Sequence, residues 1–225
     1  LLTPEILQEE PEPLKQNRKT TDEDEIPSFK ETYDKEFNFS IGNYPVTEKS
    51  AAKRLEEFVE TSIPNYKELR DIPSLSSTSN LSSSFAIGLI SSKQAINHVF
   101  STSDGTGAGQ FAWVNEIIWR EFYKYITYHY PHVSKGKNFN PKYDLISWRE
   151  DEDSFIKWCE GKTGIPIVDA AMRQLNQTKW MHNRLRMITA MFLSKNLLID
   201  WRKGERYFME NLIDGDFCSN NGGWQ

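Results

Sequence analysis

The chain has 225 residues, 38% of them hydrophobic, enough for a core of its own, and a net charge of −5, which taken alone argues against a nucleic-acid partner. No apolar run reaches the roughly eighteen residues of a membrane span, and the start, Leu1-Leu2-Thr3-Pro4-Glu5, lacks the basic and apolar regions of a signal peptide. Two cysteines, Cys159 and Cys218, far apart and without clustered histidines, argue against a disulfide framework or a metal site and for a reducing, intracellular setting.

In chain order, residues 1–36 carry eleven acids against five bases, a net −6 that leaves +1 for the remainder. With prolines and few periodic apolar positions, they read as an acidic interdomain linker, and order is expected from Phe37, residues 37–225 forming one domain. The absence of an initiating methionine and the abrupt end at Gln225 are expected of a fragment truncated at both ends. Thr47 reads as an N-cap for an amphipathic helix built on Ala51, Leu55, Phe58 and Val59 and ending before Pro64. The run from Ser74 to Ser84 has the composition of a flexible loop, although its hydroxyls and N–H groups could also hold a phosphate. Ser91 and Gln94 form a capping box for a helix through Phe100.

Further helices are expected over Gln110–His129, Asp153–Cys159, Pro166–Leu175, Met181–Lys195 and Arg202–Leu212, with Pro166 in a first turn, Asp200 as a cap and Gly215 as a helix exit. No alternating strand pattern occurs, so the fold class is all-α, a multi-helix domain around a shared interior. Between Arg120 and Arg206 sixteen Lys or Arg face ten acids, a local +6 that could form a basic, phosphate-meeting face or a scattered solvated surface.

At about 100° per residue, Trp113, Glu116, Trp119 and Arg120 share an arc of roughly 120°, leaving Ile117, Ile118 and Phe122 for the core. Two readings fit: a Glu116/Arg120 pair beside two core tryptophans, or the wall of a pocket for a flat aromatic ligand. On the helix from Met181, Asn183, Arg186, Met187 and Ala190 share a face that is either a cavity lining or a surface stripe. The closing stretch from Leu212 to Gln225 concentrates carboxylates, carboxamides and glycines as a recognition loop would. No GxGxxG, P-loop, serine-elbow or HExxH motif is present.

Four long segments, WVNEIIWREFY (113–123), GKTGIPIVDAAMRQL (161–175), WMHNRLRM (180–187) and LIDWRKGERYF (198–208), together with NNGGW (220–224), are unusual in combination. Over residues 37–225 the chain resembles the photolyase and cryptochrome family, and within it the class I cyclobutane pyrimidine dimer photolyases. The resemblance implies an all-α domain holding FAD, with an antenna chromophore of folate or deazaflavin type on a separate N-terminal domain. It further implies a lyase that repairs UV-damaged DNA by light-driven electron transfer from excited reduced FAD to a flipped-out dimer. It implies a monomer when full length, no membrane, no metal, and a nuclear or also mitochondrial location if the source is eukaryotic.

By motif position, Tyr66, Thr78, Ser79, Leu81 and Ser82 would hold the diphosphate, with Asn80 standing where some members carry a basic residue. Trp113, Glu116, Arg120, Trp180, Asn183, Arg186, Asp214, Asp216 and Asn220 would surround the flavin. Glu116, kept protonated by burial, would donate to the dimer carbonyls, with Asn183 and Met187 lining the pocket and Trp119 stacking on the dimer. Arg70 and Arg184 would contact backbone phosphates. Trp224, Trp201 and Trp148, in that order from flavin to surface, match the family's electron-transfer chain. Asn220 would face flavin N5, where plant cryptochromes carry Asp and animal cryptochromes Cys. That favours repair over a cryptochrome-like photoreceptor.

Overall fold

The computed structural model describes residues 44–102 and 107–225, so the acidic stretch 1–36 and the expected onset of order near Phe37 lie outside the described residues. Among these residues there are helices and no strands. Helix α1 (Glu48–Thr61) starts at the expected cap: Thr47 Oγ1 accepts from Ser50 N and Ser50 Oγ accepts from Thr47 N, closing a capping box. A 3-10 turn, Ile63–Asn65, leads into the short α2 (Tyr66–Leu69).

The serine run is not a solvated loop throughout. Its end winds into α3 (Ser82–Ala86), and Ser77, Leu81, Ser83 and Ser84 are buried. Composition misleads here because serine is small enough to be packed wherever a neighbouring apolar residue, in this case Leu81, is drawn into the core. The Ser91/Gln94 box forms as expected and opens α4 (Ser92–Thr102).

Helix α5 (Ala108–His129) is the longest among the described residues. It buries Trp113, Val114 and Ile117 with Leu55, Phe58 and Val99 in a first core. Ile118 and Phe122, expected inside, are 52% and 45% exposed, because the core-facing arc of α5 is centred on Trp113 and Ile117. After two 3-10 turns, Pro131–Lys135 and Pro141–Leu145, the chain enters α6 (Glu152–Glu160) and α7 (Pro166–Thr178).

A second core is built from α6, α7, α8 (Asn183–Met191) and α9 (Trp201–Asn211). Trp158 is fully buried there, stacked on Phe208 at 5.9 Å and donating its indole N–H to Thr189 O at 3.1 Å. The helix expected over Met181–Lys195 is divided. His182 caps α8 through Nδ1, and the last turns pass into a π-helical segment, Phe192–Asn196.

Asp200 caps α9, accepting from Arg202 N at 3.0 Å. Gly215 lies beyond the exit it was expected to make: α9 ends at Asn211 and Leu212 is already extended (ψ 123°). The closing stretch is helical, not a loop. Asp216 accepts from Ser219 N at 2.8 Å and starts α10 (Phe217–Trp224), which packs on both α5 and α9. Close approach demands the two glycines involved. A Cβ on Gly222 would collide with the Tyr123 ring of α5, and one on Gly204 of α9 would collide with Trp224 and Leu193.

Candidate functional site

The i, i+4 pair proposed along α5 does not form. Glu116 instead accepts from Arg70, at the end of α2, with Nη1 to Oε1 at 2.6 Å. Its side chain is 32% exposed, so it is half-buried, and Oε1 is the acceptor of this charge-assisted bond. The Arg70 guanidinium also lies 5.4 Å from the Tyr66 ring centroid. Burial pushes the Tyr66 hydroxyl up to about 12, an effect that Arg70 opposes and Glu116 reinforces.

Arg120 works elsewhere. It donates to Phe85 O of α3 at 3.0 Å and to Glu121 at 2.9 Å, and lies 3.7 Å from Asp216 Oδ2. One guanidinium thereby ties the serine-rich segment and the start of α10 to α5. Arg186 of α8 makes the corresponding tie on the other side. It donates through Nη2 to both oxygens of Asp214, at 3.0 and 2.8 Å, and through Nε to Met181 O at 2.7 Å. Asp214 is 2% exposed at its side chain. Tyr44 stands beside this pair: burial raises its hydroxyl, with Asp214 adding to the effect and Arg186 opposing it.

On α10, Asn220 is held on both sides of its carboxamide. Nδ2 donates to Glu205 O at 2.9 Å and Oδ1 accepts the Trp224 indole N–H at 3.2 Å. The Glu205 carboxyl lies beneath, raised above its ordinary value by burial. Trp224 packs on Phe208 at 5.2 Å and on Trp158 at 6.4 Å. Trp201 is 4% exposed and donates to Asn138 Oδ1 at 3.0 Å, while Trp148 is half-buried. Among the described residues no ring-to-ring contact joins Trp224, Trp201 and Trp148, and Trp158 is the tryptophan that touches Trp224.

The serine-rich segment presents donors that await an acceptor. Among the described residues the backbone N–H groups of Ser79, Asn80, Leu81 and Ser82 and the buried hydroxyls of Ser83 and Ser84 have no hydrogen-bond partner. Asn80 adopts φ 53°, a left-handed conformation that asparagine tolerates, and its Oδ1 accepts from Thr78 Oγ1 at 3.2 Å. Leu81 is fully buried and packs into the first core. The N–H groups of Ser79, Asn80 and Ser82, on residues with exposed surface, fit a phosphate, whose oxygens accept several donors at once.

Trp113 is 3% exposed and packs against Phe58 and Phe85 in the first core, while Trp180 is half-buried against His182. Of the residues expected to meet DNA, three are open. Trp119 is 48% and Met187 47% exposed, and Asn183 at the start of α8 is exposed as well. Arg184, however, is paired with Asp71 at 2.7 Å. Sequence reasoning passed over Asp71, Glu205 and Trp158. An exposed aspartate next to an arginine carries no local signal, and the partners of all three come from distant helices.

A family model described as the FAD binding domain of DNA photolyase matches residues 113–225. The chain belongs to the DNA photolyase family. Curated relatives named deoxyribodipyrimidine photo-lyase include one from Neurospora crassa, 50% identical over 80% of this chain and 30% of its own length. One from Escherichia coli is 50% identical over 84% of this chain and 40% of its own. A bacterial class III photolyase structure from Agrobacterium tumefaciens superposes with a TM-score of 0.75 at 44% identity, over 79% of this chain and 37% of that one. A Synechocystis cryptochrome gives a TM-score of 0.77 at 32% identity, over 84% of this chain and 40% of that one. The chain thus spans 30 to 40% of the length of these relatives.

Proposed function

We propose that residues 37–225 form the FAD- and DNA-binding domain of a class I photolyase that repairs cyclobutane pyrimidine dimers in UV-damaged DNA, with residues 1–36 as an interdomain linker. The observation that carries this reading is convergence. Arg120 ties α5 to Asp216 at the start of α10, Arg186 ties α8 to Asp214 two residues earlier, and Asn220 ties α10 to α9. The open residues Trp119, Asn183 and Met187, and the paired Arg184, lie on α5 and α8.

FAD, when bound fully reduced and excited by blue light, supplies the electron that opens the cyclobutane ring. Thr78, Ser79, Leu81 and Ser82 would hold its diphosphate, and Tyr66 would join them. Trp113, Glu116, Arg120, Trp180, Asn183, Arg186, Asp214 and Asp216 would contact the flavin. Asn220 would orient toward it by virtue of the two hydrogen bonds that fix its carboxamide. Glu116 and Asn183 would bind the dimer, Trp119 and Met187 would pack on it, and Arg70 and Arg184 would grip phosphates without reading sequence. Trp224, Trp201 and Trp148 would pass electrons inward to restore the reduced state.

An antenna chromophore of folate or deazaflavin type on a separate N-terminal domain, a monomeric full-length protein and a nuclear or mitochondrial location if the source is eukaryotic complete the proposal. No helix among the described residues is long and apolar enough to cross a membrane. Blue-light repair of a thymine dimer in a DNA duplex by the flavin-loaded protein tests the reading. Flavin photoreduction without repair or dimer affinity would favour a cryptochrome-like photoreceptor instead. Trp148→Phe should slow photoreduction while sparing repair once the flavin is reduced, and loss of repair under those conditions would remove Trp148 from the electron path.

A further inference from the structure

The two arginines expected to hold DNA phosphates are both engaged inside the protein, and not equivalently. Arg184 pairs with Asp71, whose side chain is 54% exposed. Water can therefore solvate Asp71 once Arg184 leaves for a phosphate, and the exchange costs little. Arg70 is committed on three sides: Glu116 at 2.6 Å, Asp71 at 3.9 Å and the face of Tyr66. Glu116 is less exposed than Asp71, and a partly desolvated carboxylate that loses its cation pays a penalty unless another donor replaces it.

We propose that Arg70 couples the grip on the DNA backbone to the occupancy of the dimer pocket, leaving Glu116 for a phosphate only when a flipped pyrimidine dimer takes its place on that carboxylate. The inference rests on the repair reading above. A pyrimidine edge offers an imide N–H that Glu116 can accept in exchange for the guanidinium. Undamaged DNA supplies phosphates but keeps its bases stacked, because flipping an intact pyrimidine costs more than flipping a damaged one. Arg70 then stays with Glu116, and undamaged DNA is held by one cation fewer. The discrimination requires no contact that reads the lesion beyond the one at Glu116.

The test is a double-mutant cycle in the flavin-loaded protein, with a short duplex carrying one cyclobutane thymine dimer and the same duplex undamaged, each titrated over a range of salt. For the unaltered protein the slope of log K against log salt should be steeper by about 0.9 for the damaged duplex, the signature of one additional phosphate contact. Glu116→Gln should tighten binding of the undamaged duplex several-fold and steepen its slope by about 0.9. In an Arg70→Ala background the same change should do neither. Tightening that persists without Arg70 would reduce the effect to the simple loss of a negative charge and overturn the proposal, as would unchanged or weaker binding of undamaged DNA by Glu116→Gln. Arg70→Gln replaces Arg70→Ala should the latter not fold. If the unaltered protein shows no preference for the damaged duplex, the repair reading itself fails. An intact preference without the predicted cycle defeats only the coupling.

Discussion

Arg186 with Asp214 and Arg70 with Glu116 are the same chemical pair in two settings. The first is shared by both carboxylate oxygens, backed by a bond to Met181 O, and leaves Asp214 with 2% exposure. The second is a single contact at 2.6 Å between half-buried groups. Burial decides what each can do. A carboxylate sealed from water cannot lose its cation without being stranded, so the first pair holds α8 to the turn before α10; a carboxylate at the rim can exchange partners, so the second can respond to a ligand.

The largest effect should come from breaking the sealed pair. Arg186→Ala strands Asp214 and should lower unfolding stability by about 3–5 kcal/mol in a urea titration. A loss no greater than that of Arg70→Ala would erase the distinction between the two settings. An intermediate case is Asp169, a buried carboxylate held mainly by uncharged donors. It accepts from Thr163 N at 2.7 Å, Thr163 Oγ1 at 2.6 Å and Gly164 N at 2.9 Å. Desolvation works to raise its carboxyl, but these bonds and Arg173 outweigh it and hold the group below its ordinary 3.8. A depressed folded value adds stability above the unfolded one and loses it as pH falls through the folded one. Asp169→Asn should therefore cost roughly 1.5–3 kcal/mol near neutral pH, and less as the pH drops below about 4. A constant difference across that range would count against an ionised Asp169.

The smallest effect on stability should be at the rim. Glu116→Gln should change unfolding stability by less than about 1 kcal/mol, since it removes the partly desolvated charge itself and leaves an amide oxygen that can accept from Arg70. A loss comparable to that of Arg186→Ala would mean that Glu116 is structural rather than exchangeable.

Much of the local architecture was legible in the residues. Thr47, Ser91 and Asp200 cap helices because a side-chain oxygen satisfies an N–H within two or three residues, and that chemistry is contained in the sequence. Periodicity located α1, α5, α7 and α9 within a turn or so. It placed Ile117 inside, left Trp113 open between the core and a pocket wall, and put Ile118 and Phe122 inside, since helical phase alone does not say which arc meets a neighbour. The composition of the serine run and of the closing stretch suggested loops. Leu81 and Asp216 reversed both readings, one by entering the first core and the other by capping α10.

Of the candidate site, the identities of Glu116, Arg120, Arg186, Asp214, Asp216 and Asn220 followed from resemblance, and their partners did not. Glu116 and Arg120 lie one turn apart and were candidates for each other. Packing of α2 and α10 against α5 gave them Arg70 and Asp216 instead. By itself the sequence determined the helices, most of their caps and the family, because those depend on interactions between near neighbours and on long matching segments. Only the tertiary structure decided which charges pair, which of those pairs are sealed and which remain open. Pairing and desolvation are set by residues distant in the chain and by the water they exclude.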